Sequence, residues 1–256
     1  MGTGAITQYV DVAQLVLYAF WAFFAGLIYY LVRENHREGY PMVVEGDRNP
    51  TVTGWPVPRP KTYLLPDGNT VSIPRARDPQ PQTSAEAAHG YIAAPLVPVG
   101  DPLTAGVGPG AWALRADVPD LDLEFKPKIV PLRTLGDEFG VAHKSVDPRG
   151  LPLVGADGEV AGTITDAWLD RMEMIFRFLE AEVPGADGPR RILVPMNFAR
   201  VVRSGVHVKA LMATQFAGVP ATRHPEQVTL LEEERITAYY GAGTLYADPD
   251  RAEPFF

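Results

Sequence analysis

The sequence predicts a single N-terminal transmembrane α-helix followed by a mainly-β body, an antiparallel barrel or sandwich closed by one C-terminal helix. Three observations lead there. Residues 12–32 (VAQLVLYAFWAFFAGLIYYLV) carry no charged side chain. From about Ile129 onward, short alternating apolar runs are separated by turn residues at regular intervals, the texture of small antiparallel sheets. Near the end, Thr229-Leu-Leu-Glu232 has the spacing of a helix capping box.

The charge-free run fits a membrane span by length. Twenty-one residues at about 1.5 Å each cover roughly 30 Å, the hydrocarbon thickness of a bilayer. A signal peptide should open with basic residues, and residues 1–11 hold neither Lys nor Arg. A buried core helix should have a polar face, whereas Gln14 is the only strongly polar residue here. The run ends in Tyr29, Tyr30, Arg33 and Glu34, an interfacial aromatic pair followed by a charged stop. Arg33, Arg37 and Arg48 all lie on the C-terminal side. The positive-inside rule therefore expects residues 1–11 outside and the body in the cytoplasm. Ala22 and Gly26 form a small-xxx-small pair that admits a second helix closely, and a plain lipid-facing anchor reads equally well.

Residues 33–128 read as an extended, Pro-rich segment near the membrane. Residues 41–152 contain 18 of the 25 prolines, which excludes helix interiors and central strands over much of this stretch. Scattered apolar anchors (Trp55, Tyr63, Leu64, Leu65, Tyr91, Trp112, Leu114) predict that it drapes over a partner protein. A short hairpin is expected from Thr62–Leu65 and Thr70–Ile73 around Pro66-Asp67-Gly68-Asn69. Residues 129–245 form the β domain with its closing helix. Asp157-Gly158 turns one hairpin there, and strands are expected at Met174–Glu182, Arg191–Pro195 and Gly205–Ala210. The closing helix is expected to stop at Gly241, leaving residues 246–256 as a loosely held tail.

Composition removes several classes of function. There is no cysteine, so disulfides, thiolate metal sites and cysteine nucleophiles are excluded. The net charge of −8 argues against a nucleic-acid partner. No phosphate loop, dinucleotide fingerprint, zinc-protease motif or nucleophile elbow occurs. The five histidines, His36, His89, His143, His207 and His224, show no metal-ligand spacing. What remains is a set of ionisable residues mixed with apolar ones. Asp117, Asp120, Asp122 and Glu124 lead into Lys126 and Lys128, Asp170 and Glu173 precede Arg177, and Glu232, Glu233 and Glu234 crowd the closing helix. On one continuous strand Glu173 and Arg177 would share a face roughly 13 Å apart, without touching. Carboxylates partly buried beside a membrane can have raised pKa values and exchange protons near neutrality.

A series of short motifs runs along the chain: Phe20-Trp21, Gly26-Leu-Ile, Tyr30-Leu31 and Arg37-Glu-Gly-Tyr-Pro41, then Pro60-Lys-Thr62, Leu65-Pro66 and Gly100-Asp-Pro102. It continues through Gly106-Val-Gly-Pro109, Lys128-Ile129, Pro131, Gly150-Leu-Pro152, Asp166, Trp168, Arg177-Phe-Leu-Glu180 and Val228-Thr-Leu-Leu-Glu-Glu233. On these motifs the chain resembles, along essentially its whole length, the H subunit of the purple-bacterial photosynthetic reaction centre. The resemblance implies a cytoplasmic PRC-type antiparallel barrel on a single span in the bacterial inner (intracytoplasmic) membrane. Such a subunit is non-catalytic. It caps the L and M subunits and binds none of their bacteriochlorophyll, bacteriopheophytin, quinone or non-haem iron. A light-harvesting antenna and lipids are further neighbours.

By the same resemblance, Asp122 matches the family's proton-uptake aspartate, and Asp170 and Glu173 match its interior relay. Glu124 joins Asp122 at the surface, Glu233 joins the proton-transfer set, and Arg177 holds a neighbouring carboxylate ionised. Arg33 and Arg37 are expected at lipid headgroups. Two departures stand out. The best-studied members carry two histidines where this chain has Glu124 and Lys126, and Gln227 stands where some relatives have Glu. The alternative to this whole reading is a single-pass, membrane-tethered scaffold whose barrel docks another protein.

Overall fold

The computed structural model describes residues 11–37, 58–73, 81–90, 94–136, 139–186 and 188–251. They divide into two compact units, residues 1–78 and 79–256. The periplasmic N-terminus expected for residues 1–11 falls almost wholly outside the described residues, as do Trp55 and Tyr91.

The first unit opens with α1 (Val12–Asn35), started by Asp11, whose Oδ1 accepts the Gln14 N–H at 2.7 Å. None of its residues is buried against the chain, and it is long and apolar enough to cross a membrane. The position of Gly26 is open, with no atom within 4 Å of where a Cβ would sit. The hairpin forms one residue earlier than expected, as β1 (Lys61–Leu64) against β2 (Thr70–Ile73). Its turn uses Gly68 at φ +82°, and the Asp67 carboxylate accepts the Asn69 N–H at 3.0 Å. Glu34 ties the helix end to this hairpin, pairing with Arg37 at 2.6 Å and Lys61 at 2.8 Å.

The second unit begins with the short ladder of β3 (Ala85–Ala87) and β4 (Leu96–Pro98). The main sheet has seven strands: β5 (Ile129–Pro131), β6 (Pro152–Val154), β7 (Val160–Asp170), β8 (Ile175–Gly185), β9 (Gly188–Pro195), β10 (Ala199–Val202) and β11 (Gly205–Val208). Their order is β10-β11-β6-β7-β8-β9, with β5 pairing the far end of β7. Every ladder is antiparallel except β6 with β11. The Asp157-Gly158 hairpin forms as expected, with Gly158 at φ +82°. β7 and β8 shift register twice, at Ile164/Asp166 and Trp168/Leu169. Such bulges break the two-residue alternation, and Asp166, Ala167, Trp168, Leu169 and Asp170 are consecutively buried.

The last element, α2 (Leu230–Tyr246), closes the barrel with Ile236, Tyr239 and Tyr240 in the core. The capping box forms: Thr229 Oγ1 accepts the Glu232 N–H at 3.1 Å, and Glu232 Oε2 accepts the Thr229 N–H at 2.9 Å. The expected stop at Gly241 does not occur, because the helix runs five residues further. Gly241 is there for contact: a Cβ would collide with the Pro109 carbonyl. Gly110 in turn lies against Ala242. The stretch from Leu103 to Gly110 therefore packs on the chain's own barrel, whereas the anchors Tyr63, Leu64, Leu65 and Leu114 stay exposed. Small residues make that approach possible. The tail is also better held than expected as far as Arg251, whose guanidinium donates to the Gly243 carbonyl at 3.1 Å.

Candidate functional site: a carboxylate–cation network

The β7–β8 turn builds the centre of the site. Asp170 ends β7, and its Oδ1 accepts the N–H groups of Met172 and Glu173, both at 3.0 Å. Its backbone carbonyl accepts the Met174 N–H at 2.8 Å, and Met174 sits at φ +55°. The chain thus reverses over residues 171–174, and β8 begins only at Ile175. The sequence expectation of a strand from Met174 fails by this one residue, with a large consequence. Glu173 lies in the turn and folds back on Arg177, whose Nη2 donates to Glu173 Oε2 at 2.9 Å. The pair touches, where a continuous strand would have held the two residues apart.

Asp170 is wholly buried, yet it is amply partnered. Lys128 Nζ lies 3.3 Å and Arg177 Nε 3.4 Å from Asp170 Oδ2. Lys128 also reaches Glu173 at 3.4 Å and Asp120 at 3.5 Å. Burial alone would raise the Asp170 pKa; the two backbone N–H groups and Lys128 outweigh it and hold the carboxyl below its ordinary range. Lys128 is shifted upward in return: burial opposes its charge, but its hydrogen bond and proximity to Asp170 prevail.

Asp122 lies on the neighbouring loop. Its Oδ1 accepts the N–H groups of Glu124 at 2.8 Å and Lys126 at 2.9 Å, and Arg171 Nη2 pairs with Oδ2 at 2.6 Å. The Lys126 N–H, chiefly, draws its pKa below the usual value. This loop is joined to the turn by backbone bonds: Lys128 N–H to the Asp120 carbonyl at 2.8 Å, and Arg171 N–H to the Lys128 carbonyl at 3.0 Å. Register then fixes Ile129 opposite Asp170.

Glu233 enters from α2. Its helix start is held by Asp117, which accepts the Thr229 hydroxyl at 2.8 Å, and by the Val118 carbonyl, which accepts the Leu230 N–H at 3.0 Å. Burial pushes the Glu233 carboxyl up to about 7, with Arg177 opposing and Asp120 reinforcing the shift. Raised pKa values, expected for the carboxylates as a set, are therefore not shared by Asp122 and Asp170, because their oxygens are saturated with donors. The donors that lower Asp122 and Asp170 are absent at Glu233, where no side-chain hydrogen bond forms among the described residues.

Glu124 stands apart. Its side chain is exposed and closes on Lys126 at 2.7 Å. Arg33 lies 3.4 Å from Glu34 with its guanidinium over the Tyr29 ring. Arg37 is only 8% exposed and is turned inward on Glu34 and the Arg59 carbonyl, so its guanidinium serves as an internal tie. Sequence reasoning placed Lys128 and Arg171 outside the site, although they join its two halves. Lys128 directly precedes the strand that pairs with Asp170, and that adjacency was the available signal. Around the network lie exposed apolar side chains, notably Leu123 (85% exposed), Phe125 (78%) and Met174 (61%).

Comparison with protein families agrees with this architecture. The family model for the photosynthetic reaction centre H-chain N-terminal region matches residues 4–134. The PRC-barrel domain model matches residues 141–214, the stretch containing β6 to β11. The first match spans just over half the sequence, and the chain belongs to the photosynthetic reaction centre H-chain family.

Proposed function

We propose that this H chain caps the reaction-centre L and M subunits on the cytoplasmic side, stabilises their complex and conducts protons to the secondary quinone. α1 anchors it with the N-terminus in the periplasm. The partner subunits hold the bacteriochlorophyll, bacteriopheophytin, quinone and non-haem iron, and the H chain holds none. A light-harvesting antenna and lipids neighbour the complex, with Arg33 toward the headgroups.

The observation that carries the proposal is a pair of adjoining charge clusters. Asp120, Lys128, Glu173 and Arg177 surround buried Asp170, and the Asp122–Arg171 pair lies beside them, joined through the backbone bond from Arg171 N–H to the Lys128 carbonyl. Their members have distinct roles. Asp122 and Asp170 stay ionised at neutral pH and supply negative potential that attracts protons. Glu233, balanced near neutrality, can hold a proton and release it. Glu124 lies outside the direct network and would act as an exposed collector. The apolar side chains of Leu123, Phe125 and Met174 suit docking on a partner, which would shield the network from bulk water.

The test is the Glu173→Gln variant in the assembled complex. The flash-induced second electron transfer to quinone is expected to slow by about tenfold, equivalent to a barrier rise of about 1.4 kcal/mol. An unchanged rate with the complex intact refutes the relay. The scaffold alternative shares the apolar surface. It requires no pigment, so absence of near-infrared bacteriochlorophyll absorption from the complex purified from native membranes would favour it.

A further inference from the structure

An open groove of about 1010 Å³ lies elsewhere on the barrel, lined by residues of the Asp157 hairpin, β10, β11 and the end of α2. None of the network residues described above lines it. The antiparallel register explains its chemistry. Arg200 lies directly opposite His207, and Val202 opposite Gly205. Side chains two residues apart share a face, so Arg200 and Val202 lie together on β10 with His207 across from Arg200, and Phe198, just before β10, and Lys209, just after β11, line the same groove. Apolar and basic groups thus alternate across one surface. Arg251 borders the groove, fixed by its bond to the Gly243 carbonyl.

Two facts make this arrangement unusual for a chain of net charge −8. No Asp or Glu belongs to the groove lining. The side chains of Arg200, His207 and Lys209 take part in no described ion pair or hydrogen bond. At the carboxylate network and the barrel core, by contrast, Lys128, Arg133, Arg171 and Arg177 are closed on carboxylates. Here the donors remain available, beside the apolar faces of Phe198, Val202 and Ala156. Phe198 is backed by Tyr240, ring centroids 5.8 Å apart, so this wall rests on the core.

We propose that the groove binds an organic anion, a phosphate or carboxylate carried on an apolar body. Arg200, His207 and Lys209 receive the anionic group through charge-assisted hydrogen bonds, and Phe198 and Val202 receive the apolar part. The volume lies at the upper end of small-molecule sites, so the ligand need not fill it. The anionic group accounts for the unpaired cations, and the apolar body accounts for the walls between them.

The experiment uses the full chain in lipid nanodiscs, titrated calorimetrically with hexyl phosphate, hexanoate, inorganic phosphate and 1-hexanol. The variants are Arg200→Gln/Lys209→Gln and, as a control on an exposed lysine elsewhere, Lys144→Gln. At least one of the two amphiphilic anions should bind at least about tenfold more tightly than inorganic phosphate, since burying two methylene groups suffices for that factor. The tighter of the two identifies the headgroup. The double variant should lose at least about tenfold in affinity, with an unchanged circular dichroism spectrum, and Lys144→Gln should bind as the parent does. Equal binding of hexyl phosphate, hexanoate and inorganic phosphate would overturn the proposal. Retention of affinity in the double variant, or equal uptake of 1-hexanol, would overturn it too.

Discussion

Glu233→Gln isolates the energetic consequence of placing a carboxyl where burial exceeds its hydrogen bonding. Its pKa rises from an ordinary 4.5 to about 7 in the folded chain. Between those values the folded state binds more protons than the unfolded state. Stability against unfolding therefore falls as pH rises through that window, and above it the folded chain carries the full penalty of a poorly solvated carboxylate. Glutamine is isosteric and uncharged, so the variant should be insensitive to pH through this group.

The shift of roughly 2.5 units corresponds to about 3 kcal/mol at about 1.36 kcal/mol per unit. Partial solvent access screens the charge and brings the expected gain to about 1–2 kcal/mol. Urea unfolding of the full chain in detergent, followed by far-ultraviolet circular dichroism, measures it by linear extrapolation. Parent and variant should match at pH 4, and the variant should be more stable by about 1–2 kcal/mol at pH 8. A pH-independent difference, or a variant weaker at pH 8, would refute the reasoning. The second result would mean that attraction to Arg177, Arg115 and Lys128 outweighs desolvation.

Three other perturbations test separate parts of the structure. Asp170→Asn leaves Lys128 and Arg177 without their shared buried carboxylate; since both can turn toward water, the expected loss in urea unfolding at pH 7 is about 2–3 kcal/mol. Asp170 has a lowered pKa, so its contribution in the parent is present above the ordinary aspartate value and fades as pH falls through the folded one; the gap between parent and Asn variant should narrow in acid. Gly241→Ala drives a methyl group into the Pro109 carbonyl and should lower the thermal midpoint, at a cost of about 1–3 kcal/mol; an unchanged midpoint would show that the 108–110 segment yields freely. Trp168→Phe removes the donor that bonds Glu180 Oε2 at 3.1 Å, and with Arg133 still pairing that carboxylate the loss should be about 1–2 kcal/mol by urea unfolding.

Local chemistry wrote the legible parts of this fold into the sequence. Gly158 follows Asp157 because a tight hairpin needs a left-handed residue there, and neighbours on the chain suffice to reveal it. Thr229 and Glu232 cap each other across three residues, so α2 could be located to its first turn. Its end could not. Gly241 carries the ordinary mark of a helix stop, but what it answers to is Pro109, more than 100 residues away. A glycine that permits close packing and a glycine that ends a helix look the same until the partner surface is known. The packing of Leu103 to Gly110 on the chain's own barrel was hidden for the same reason: an apolar, glycine-rich stretch announces a surface without saying whose it is.

The site was legible in its members and less so in its wiring. Asp122, Asp170, Glu173, Arg177 and Glu233 were all named from residue type and resemblance. Their contacts depended on one backbone detail, the positive φ of Met174, which moves Glu173 from a strand face into a turn and onto Arg177. Nothing in a methionine signals that conformation. It follows from Asp170, whose side chain captures the N–H groups of Met172 and Glu173 and reverses the chain. The carboxylate that organises the turn is thus the one at the centre of the ion network. Its low pKa comes from the same two N–H groups and from Lys128. This dual role explains why raised pKa values, a reasonable expectation from burial, apply to Glu233 and not to Asp170. Burial raises a carboxyl only where backbone donors are absent, and a turn supplies them where a helix interior does not. Glu233 lies in the first turn of α2, but its own N–H is taken by the Thr229 carbonyl at 2.9 Å and its carboxyl accepts no hydrogen bond among the described residues, so burial prevails.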